Sequence, residues 1–231
     1  MGNDTIVVLG GSFNPCTLAH RVILERAMDA VGADLGIIAP SSDNYVKHKM
    51  SKKDTCNMIY TQDERYTMLE LLISDSSKNI VIDTIEYGDD GKGHTYRTLS
   101  TLDKKYKASK MYFILGTDNL AWMCKWRDSE KLFSTFHFVV IARNGEQPWE
   151  VVKENETLNK YKDHFVFVEQ PIEICGISST LVRERIESHQ GDLDGLLGDK
   201  VAEYIKGLNR QSLGGQLKCM YHGDYLMKSL L

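Results

Sequence analysis

The sequence predicts an α/β fold in which helices cover both faces of a doubly wound parallel sheet. Two observations carry this. Short apolar runs of strand length alternate with segments of helical period from the N-terminus to about residue 208. The first of these runs opens through a Gly-Gly turn directly into a helical segment. At 231 residues, 42% hydrophobic and 26% charged, the chain has ordinary globular composition and suffices for one large domain with an appended helical portion.

Thr5 to Leu9 is a buried-strand candidate, followed by the Gly10-Gly11 turn. From Leu18 to Val31, the residues Leu18, Val22, Leu24, Ala27, Met28 and Val31 recur at helical spacing. Leu35 to Ala39 reads as a second strand that stops at Pro40. Ser41 to Thr61 is polar, lysine-rich and aperiodic, which predicts a long loop over a site. Asp63 to Ile73 is a helix, with Tyr66, Leu69 and Ile73 at core spacing.

Ile80 to Ile85 is the third predicted strand, and a loop with Gly88, Gly91 and Gly93 leads to a helix near Thr95 to Lys105. Met111 to Leu115, Phe136 to Ala142 and Phe165 to Val168 supply strands four to six. Beyond about residue 176 the chain turns helical, over Ser179 to Ser188 and again over Gly198 to Leu208. Residues 1–210 thus form the predicted domain, and 211–231 a tail without assignable pattern.

Bulk properties narrow the function. A net charge of -4 provides no basic field for a polyanion, so no nucleic-acid partner is expected. Cys16, Cys56, Cys124, Cys175 and Cys219 are odd in number and contain no C-x-x-C pair, which predicts reduced thiols and no zinc site. No apolar run approaches the roughly 20 residues that span a bilayer. The N-terminus lacks the basic and cleavable parts of a signal peptide. The expectation is an intracellular protein without membrane partners, cytoplasmic with a nuclear address left open.

The strand, glycine turn and helix at the N-terminus have the geometry that holds an anion. Glycines let the backbone approach the ligand, and the helix start presents free N–H groups with a positive dipole end. Neither a Walker A loop nor a G-x-G-x-x-G fingerprint is present. His20 falls three residues after Thr17, so both side chains can face one phosphate.

The run Gly11-Ser12-Phe13-Asn14-Pro15-Cys16-Thr17-Leu18-Ala19-His20 resembles the first motif, (H/T)-x-G-H, of the nucleotidylyltransferase superfamily. Its Asn-Pro and Thr resemble the nicotinamide/nicotinate mononucleotide adenylyltransferases, whose fold is Rossmann-like. Ala19 stands where the common pattern has glycine. A second run, Gly176 to Arg183, resembles the I-S-S-T-x-(I/V)-R motif of the same family.

Gly116-Thr117-Asp118 resembles the family's G-x-D, and Trp126 lies where members place a ring-stacking tryptophan, with Trp122 competing for that role. Tyr45-Val46-Lys47-His48-Lys49 with Arg65-Tyr66-Thr67-Met68 resembles a block of eukaryotic members, although Glu64 replaces the usual histidine. Thr95-Tyr96-Arg97-Thr98-Leu99 resembles T-Y-x-T-L of bacterial nicotinate-type enzymes.

The resemblance implies adenylyl transfer from ATP to nicotinamide or nicotinate mononucleotide, with release of pyrophosphate. It implies catalytic roles for His20 and Thr17. ATP would be held by Gly10, Gly11, Ser12, Phe13, Gly116, Asp118, Ile177, Ser178, Ser179, Thr180 and Arg183. The mononucleotide would be held by Ser12, Asn14, Lys47, Thr95 and Trp126, with Lys49 as a second lysine candidate. Mg²⁺ would arrive on ATP without a protein metal site. A homo-oligomer is a family expectation. Alternatives are a phosphopantetheine adenylyltransferase, a cytidylyltransferase, or a nucleotide-sensing protein without turnover. The sequence leaves nicotinate versus nicotinamide open.

Overall fold

In the computed structural model, β1 (Thr5–Gly11) is the strand about which the molecule is organised. Ile6, Val7 and Val8 are fully buried, as expected of a strand with helices on both faces. The described residues are 5–52, 58–88, 94–143, 145–188 and 192–208. Gly91 and Gly93 of the predicted loop, Cys56, Cys219 and the tail 211–231 lie outside them.

After β1 come α1 (Leu18–Val31), β2 (Leu35–Pro40), α2 (Asp43–Ser51), α3 (Gln62–Ile73) and β3 (Ile80–Ile82). Next are α4 (Thr95–Tyr106), β4 (Lys110–Gly116), α5 (Thr117–Leu120), α6 (Ser129–Thr135) and β5 (His137–Ala142). The chain continues with α7 (Pro148–Glu154), α8 (Glu156–Lys160), β6 (Phe165–Glu169) and α9 (Ser179–Glu187). Residues 199–208 are again helical. Among the described residues the six strands form one parallel sheet in the order β3-β2-β1-β4-β5-β6. This is the doubly wound arrangement the sequence predicts.

The period-two alternation of the strands sorts the core onto two faces. Val7 and Leu9 join Leu24, Met28, Leu69, Leu72 and Ile114 on the α1 face. Val182, Leu197, Val201 and Ile205 pack into this same cluster, so the C-terminal helical portion completes one face of the sheet. Ile6 and Val8 point the other way, onto Leu99, Leu102, Phe133 and Phe138. Each such side chain contributes roughly 1.5–3 kcal/mol when fully buried. Helix α1 ends at Gly32, whose φ of 62° is the left-handed conformation of a helix stop. At Gly36 a Cβ would come within 2.7 Å of Met28 Sδ, so glycine lets α1 lie close on β2.

The structure corrects four expectations. The stretch from Ser41 to Thr61 is not a plain loop: α2 occupies its first half, capped by Ser42, whose Oγ accepts the Tyr45 N–H. Only Val46 and Met50 of that helix are buried, too sparse an apolar stripe to read as helical. The third strand stops at Ile82 because Asp83 turns its carboxylate to Lys105 Nζ at 2.7 Å and Tyr106 Oη at 2.9 Å. Gly10 and Gly11, expected as a turn, extend β1 in parallel register with Ala39 and Pro40 of β2. The short helices α6, α7 and α8, which no periodicity announces, span too few turns to show one.

Candidate active site

The sheet order reverses between β1 and β4, and a cavity of about 720 Å³ opens there, beyond the carboxyl ends of these strands. Ligands of open α/β sheets bind at this position, because helix starts and loop amides converge on it.

One wall is the turn between β1 and α1. Phe13 is buried, takes a φ of 46° uncommon for a non-glycine residue, and packs edge-on against His20 with ring centroids 5.0 Å apart. The Asn14–Pro15 peptide is cis. Thr17 caps α1 and is fully buried. Its backbone N–H donates to His20 Nδ1 at 3.0 Å, and its Oγ1 lies 2.8 Å from the same nitrogen. His20 Nδ1 is therefore an acceptor and the ring proton sits on Nε2. Burial pushes the imidazole pKa down to about 4, and the Lys49 charge acts in the same direction. His20 is thus a neutral donor at physiological pH.

Two buried guanidinium groups hold this turn from behind. Arg65, on α3, is fully buried and donates to Ser12 O at 2.9 Å, Ser41 O at 2.7 Å and Asp43 Oδ1 at 3.1 Å. Arg183, on α9, donates to Asn14 O at 2.7 Å and Thr180 Oγ1 at 3.1 Å. With its carbonyls engaged on the far side, the turn is free to present N–H groups to an anion. Arg183 also lines the cavity, and its buried Nε has no partner among the described residues.

The start of α9 forms the neighbouring wall. Ser178 is its N-cap, accepting the Leu181 N–H at 3.1 Å, and Ser179 Oγ donates to Pro15 O at 2.8 Å. This bond ties the second helix start to the first. Ile177, Ser178, Ser179 and Thr180 all face the cavity with Gly10, Gly11, Ser12, Thr17 and His20.

Gly116, Asp118, Thr95 and Trp126 line the same cavity. A Cβ on Gly116 would overlap Asp118 Oδ1, so this glycine permits the carboxylate its position. Trp126 packs against Phe113 with centroids 6.4 Å apart, whereas Trp122 is 60% exposed and lies outside the cavity. That separates the two competing tryptophans by position.

Two mononucleotide candidates are placed differently from expectation. Lys47 is exposed on α2 and does not line the cavity, whereas Lys49 does, with Nζ 3.4 Å from Ser12 Oγ. Asn14 lines the cavity, but both ends of its carboxamide are engaged. Its Nδ2 donates to Met58 O at 2.9 Å and its Oδ1 accepts the Tyr60 N–H at 2.8 Å. The structure makes it a brace for the turn. Sequence reading also missed the polar lining residues Glu86, His94, Arg127, Arg143 and Gln170. The placement of Lys49 was readable in principle, one helical turn after Tyr45, once α2 is known to be a helix.

The turn after β1, braced by buried arginines, faces one cavity at the switch point with two helix starts and a histidine, an arrangement suited to nucleotidyl transfer. The chain matches the cytidylyltransferase-like family over residues 8–185. A probable nicotinate-nucleotide adenylyltransferase of Clostridium acetobutylicum is 32% identical over 203 residues, covering 86% of this chain and 94% of that protein. One from Clostridium botulinum (strain Langeland) is 30% identical over 200 residues, with the same coverage. In fold, the chain resembles the Plasmodium falciparum nicotinic acid mononucleotide adenylyltransferase complexed with APC. The TM-score is 0.67 at 22% identity, over 89% of this chain and 96% of that one. The same enzyme complexed with NaAD gives a TM-score of 0.66. The chain belongs to the cytidylyltransferase-like family and, within it, to the nicotinate-nucleotide adenylyltransferases.

Proposed function

We propose that this chain joins the AMP moiety of ATP to nicotinate mononucleotide, forming nicotinate adenine dinucleotide and pyrophosphate. The observation that carries this reading is the convergence of His20, the turn after β1 and the α9 start on one cavity that Trp126 also lines. That gives a triphosphate site and an aromatic platform within one molecule's reach of each other. The clostridial relatives support nicotinate as the base.

In the reaction, a 5′-phosphate oxygen of the mononucleotide attacks the α-phosphorus of ATP. The bond to the β-phosphate oxygen breaks, and pyrophosphate leaves with the electron pair. The nucleophile is already an anion, so the protein supplies alignment and charge stabilisation in place of a base. His20 Nε2–H donates to an α-phosphate oxygen, while Thr17 holds the imidazole in that tautomer. The Gly10–Gly11 amides, Ser178 to Thr180 and Arg183 take the β- and γ-phosphates. Lys49 attracts the attacking phosphate.

Among the described residues no group of three His, Cys, Asp or Glu side chains is placed to cage an ion. Mg²⁺ would arrive bound to ATP and would supply charge neutralisation to the triphosphate, which Ser178 to Thr180 and Arg183 would hold. Among the described residues no helix is long and apolar enough to cross a membrane, and we place the enzyme in the cytoplasm. The test is pyrophosphate release from ATP with nicotinate mononucleotide, nicotinamide mononucleotide and phosphopantetheine offered separately. Turnover with phosphopantetheine alone would replace this reading.

A further inference from the structure

We infer that Arg127, oriented by His94, selects a carboxylate over a carboxamide on the pyridine ring; this rests on the adenylyl-transfer reading above. Arg127 follows Trp126 directly, and both line the cavity with His94 and Thr95. Arg127 Nη1 lies 3.3 Å from His94 Nε2. A guanidinium can only donate, so His94 Nε2 accepts and the ring carries its proton on Nδ1. That nitrogen is buried and has no partner among the described residues. A buried unsatisfied donor calls for an acceptor, and a ligand supplies one.

The Arg127 guanidinium keeps donor capacity beyond its contacts within the described residues. On Arg127, Nε lies 3.9 Å from Asp128 Oδ2, and Nη1 is held by His94. No partner at Nη2 is found among the described residues. Helix α4 begins here at Thr95, with His94 as its N-cap and no side-chain cap hydrogen bond, so its first amides add a positive end.

A carboxylate offers two acceptor oxygens to such a set. A carboxamide must turn its NH₂ toward one of the donors, leaving that contact repulsive and both donors unpaired. Three carboxylates oppose this field, of which Asp118 lines the cavity beside Trp126 and Arg127. Glu86 lines the same cavity but accepts the Thr98 hydroxyl at 2.8 Å, and Asp128 occupies only the Nε edge. The Arg127 side chain is 70% exposed, so its contribution is partly screened.

The experiment measures kcat/KM for nicotinate and nicotinamide mononucleotides with the unaltered chain, Arg127→Gln, Arg127→Lys and His94→Leu. Pyrophosphate release is the readout, and thermal melts confirm folding. The unaltered chain is expected to favour nicotinate. The nicotinate-to-nicotinamide ratio is expected to fall about 10- to 100-fold in Arg127→Gln, the range of one partly screened charge-assisted hydrogen bond. Arg127→Lys should retain part of the ratio, and His94→Leu should lower it less, in the same direction. A folded Arg127→Gln variant with an unchanged ratio overturns the assignment. Absence of turnover with either mononucleotide in the unaltered chain overturns the underlying reading as well.

Discussion

His20 Nδ1 accepts the backbone N–H of Thr17 at 3.0 Å, so the catalytic candidate is oriented by the cap of its own helix. The consequence is a fixed tautomer with Nε2–H as the free donor. Replacing His20 by alanine should lower kcat by ~10²-fold or more with KM little changed, as for removal of a positioned transition-state donor. Thr17→Val keeps the N–H but removes Oγ1, and a smaller loss of about tenfold follows from one hydrogen bond to the ring. Steady-state pyrophosphate release separates these effects, and near-normal kcat in His20→Ala would remove the histidine from the mechanism.

The two lysines of α2 give opposite expectations. Lys49 reaches Ser12 Oγ inside the cavity, and Lys47 is exposed outside it. Lys49→Met should reduce kcat/KM for the mononucleotide by about 10- to 100-fold, the range for losing a hydrogen bond to a charged group. Lys47→Met should change it less than about twofold, as surface substitutions do. Equal effects from the two variants would mean that α2 sits differently when substrate is bound.

Gly116 has an ordinary backbone conformation, φ -85° and ψ 160°, so its requirement is spatial. A Cβ there displaces the Asp118 carboxylate from the cavity wall. Gly116→Ala should therefore raise KM for ATP by about tenfold, since small misplacements of positioning groups are costly. The thermal midpoint should change little. A large fall in melting temperature with unchanged KM would assign Gly116 to packing instead.

Much of this site was legible because helix starts announce themselves locally. Thr17 with His20, and Thr180 with Arg183, are spaced within single helical turns, and their neighbourhood follows from geometry the chain cannot avoid. The sheet was legible for the same reason, since its strands are short runs of residues buried on both faces. What escaped depends on contacts between residues far apart in sequence. Asn14 reads as a ligand contact until Met58 and Tyr60 are seen to occupy it. Arg65 is a charged residue whose complete burial is explained by the distant carbonyls of Ser12 and Ser41 and the Asp43 carboxylate. His94 and Arg127 meet across 33 residues, and no local pattern encodes that contact.

The depressed His20 pKa also has a thermodynamic consequence. The group titrates near 6.5 when unfolded and at about 4 in the folded chain. Between those values the unfolded state binds more protons, so stability falls as pH falls. The contribution is fully present above pH 6.5 and lost progressively toward pH 4. A shift of this size corresponds to about 3 kcal/mol as an upper figure. His137, stacked on His164 at 4.5 Å, is also held down to about 4 by burial and by the neighbouring imidazole, and its slope has the same sign. Because His137 is only half-buried, water weakens its share. Urea unfolding from pH 4.5 to 7.5 should show stability rising to about pH 6.5 and then levelling. His20→Ala should flatten that rise while leaving the His137 part, and an identical slope in the two proteins would show that His20 is not held neutral by the fold.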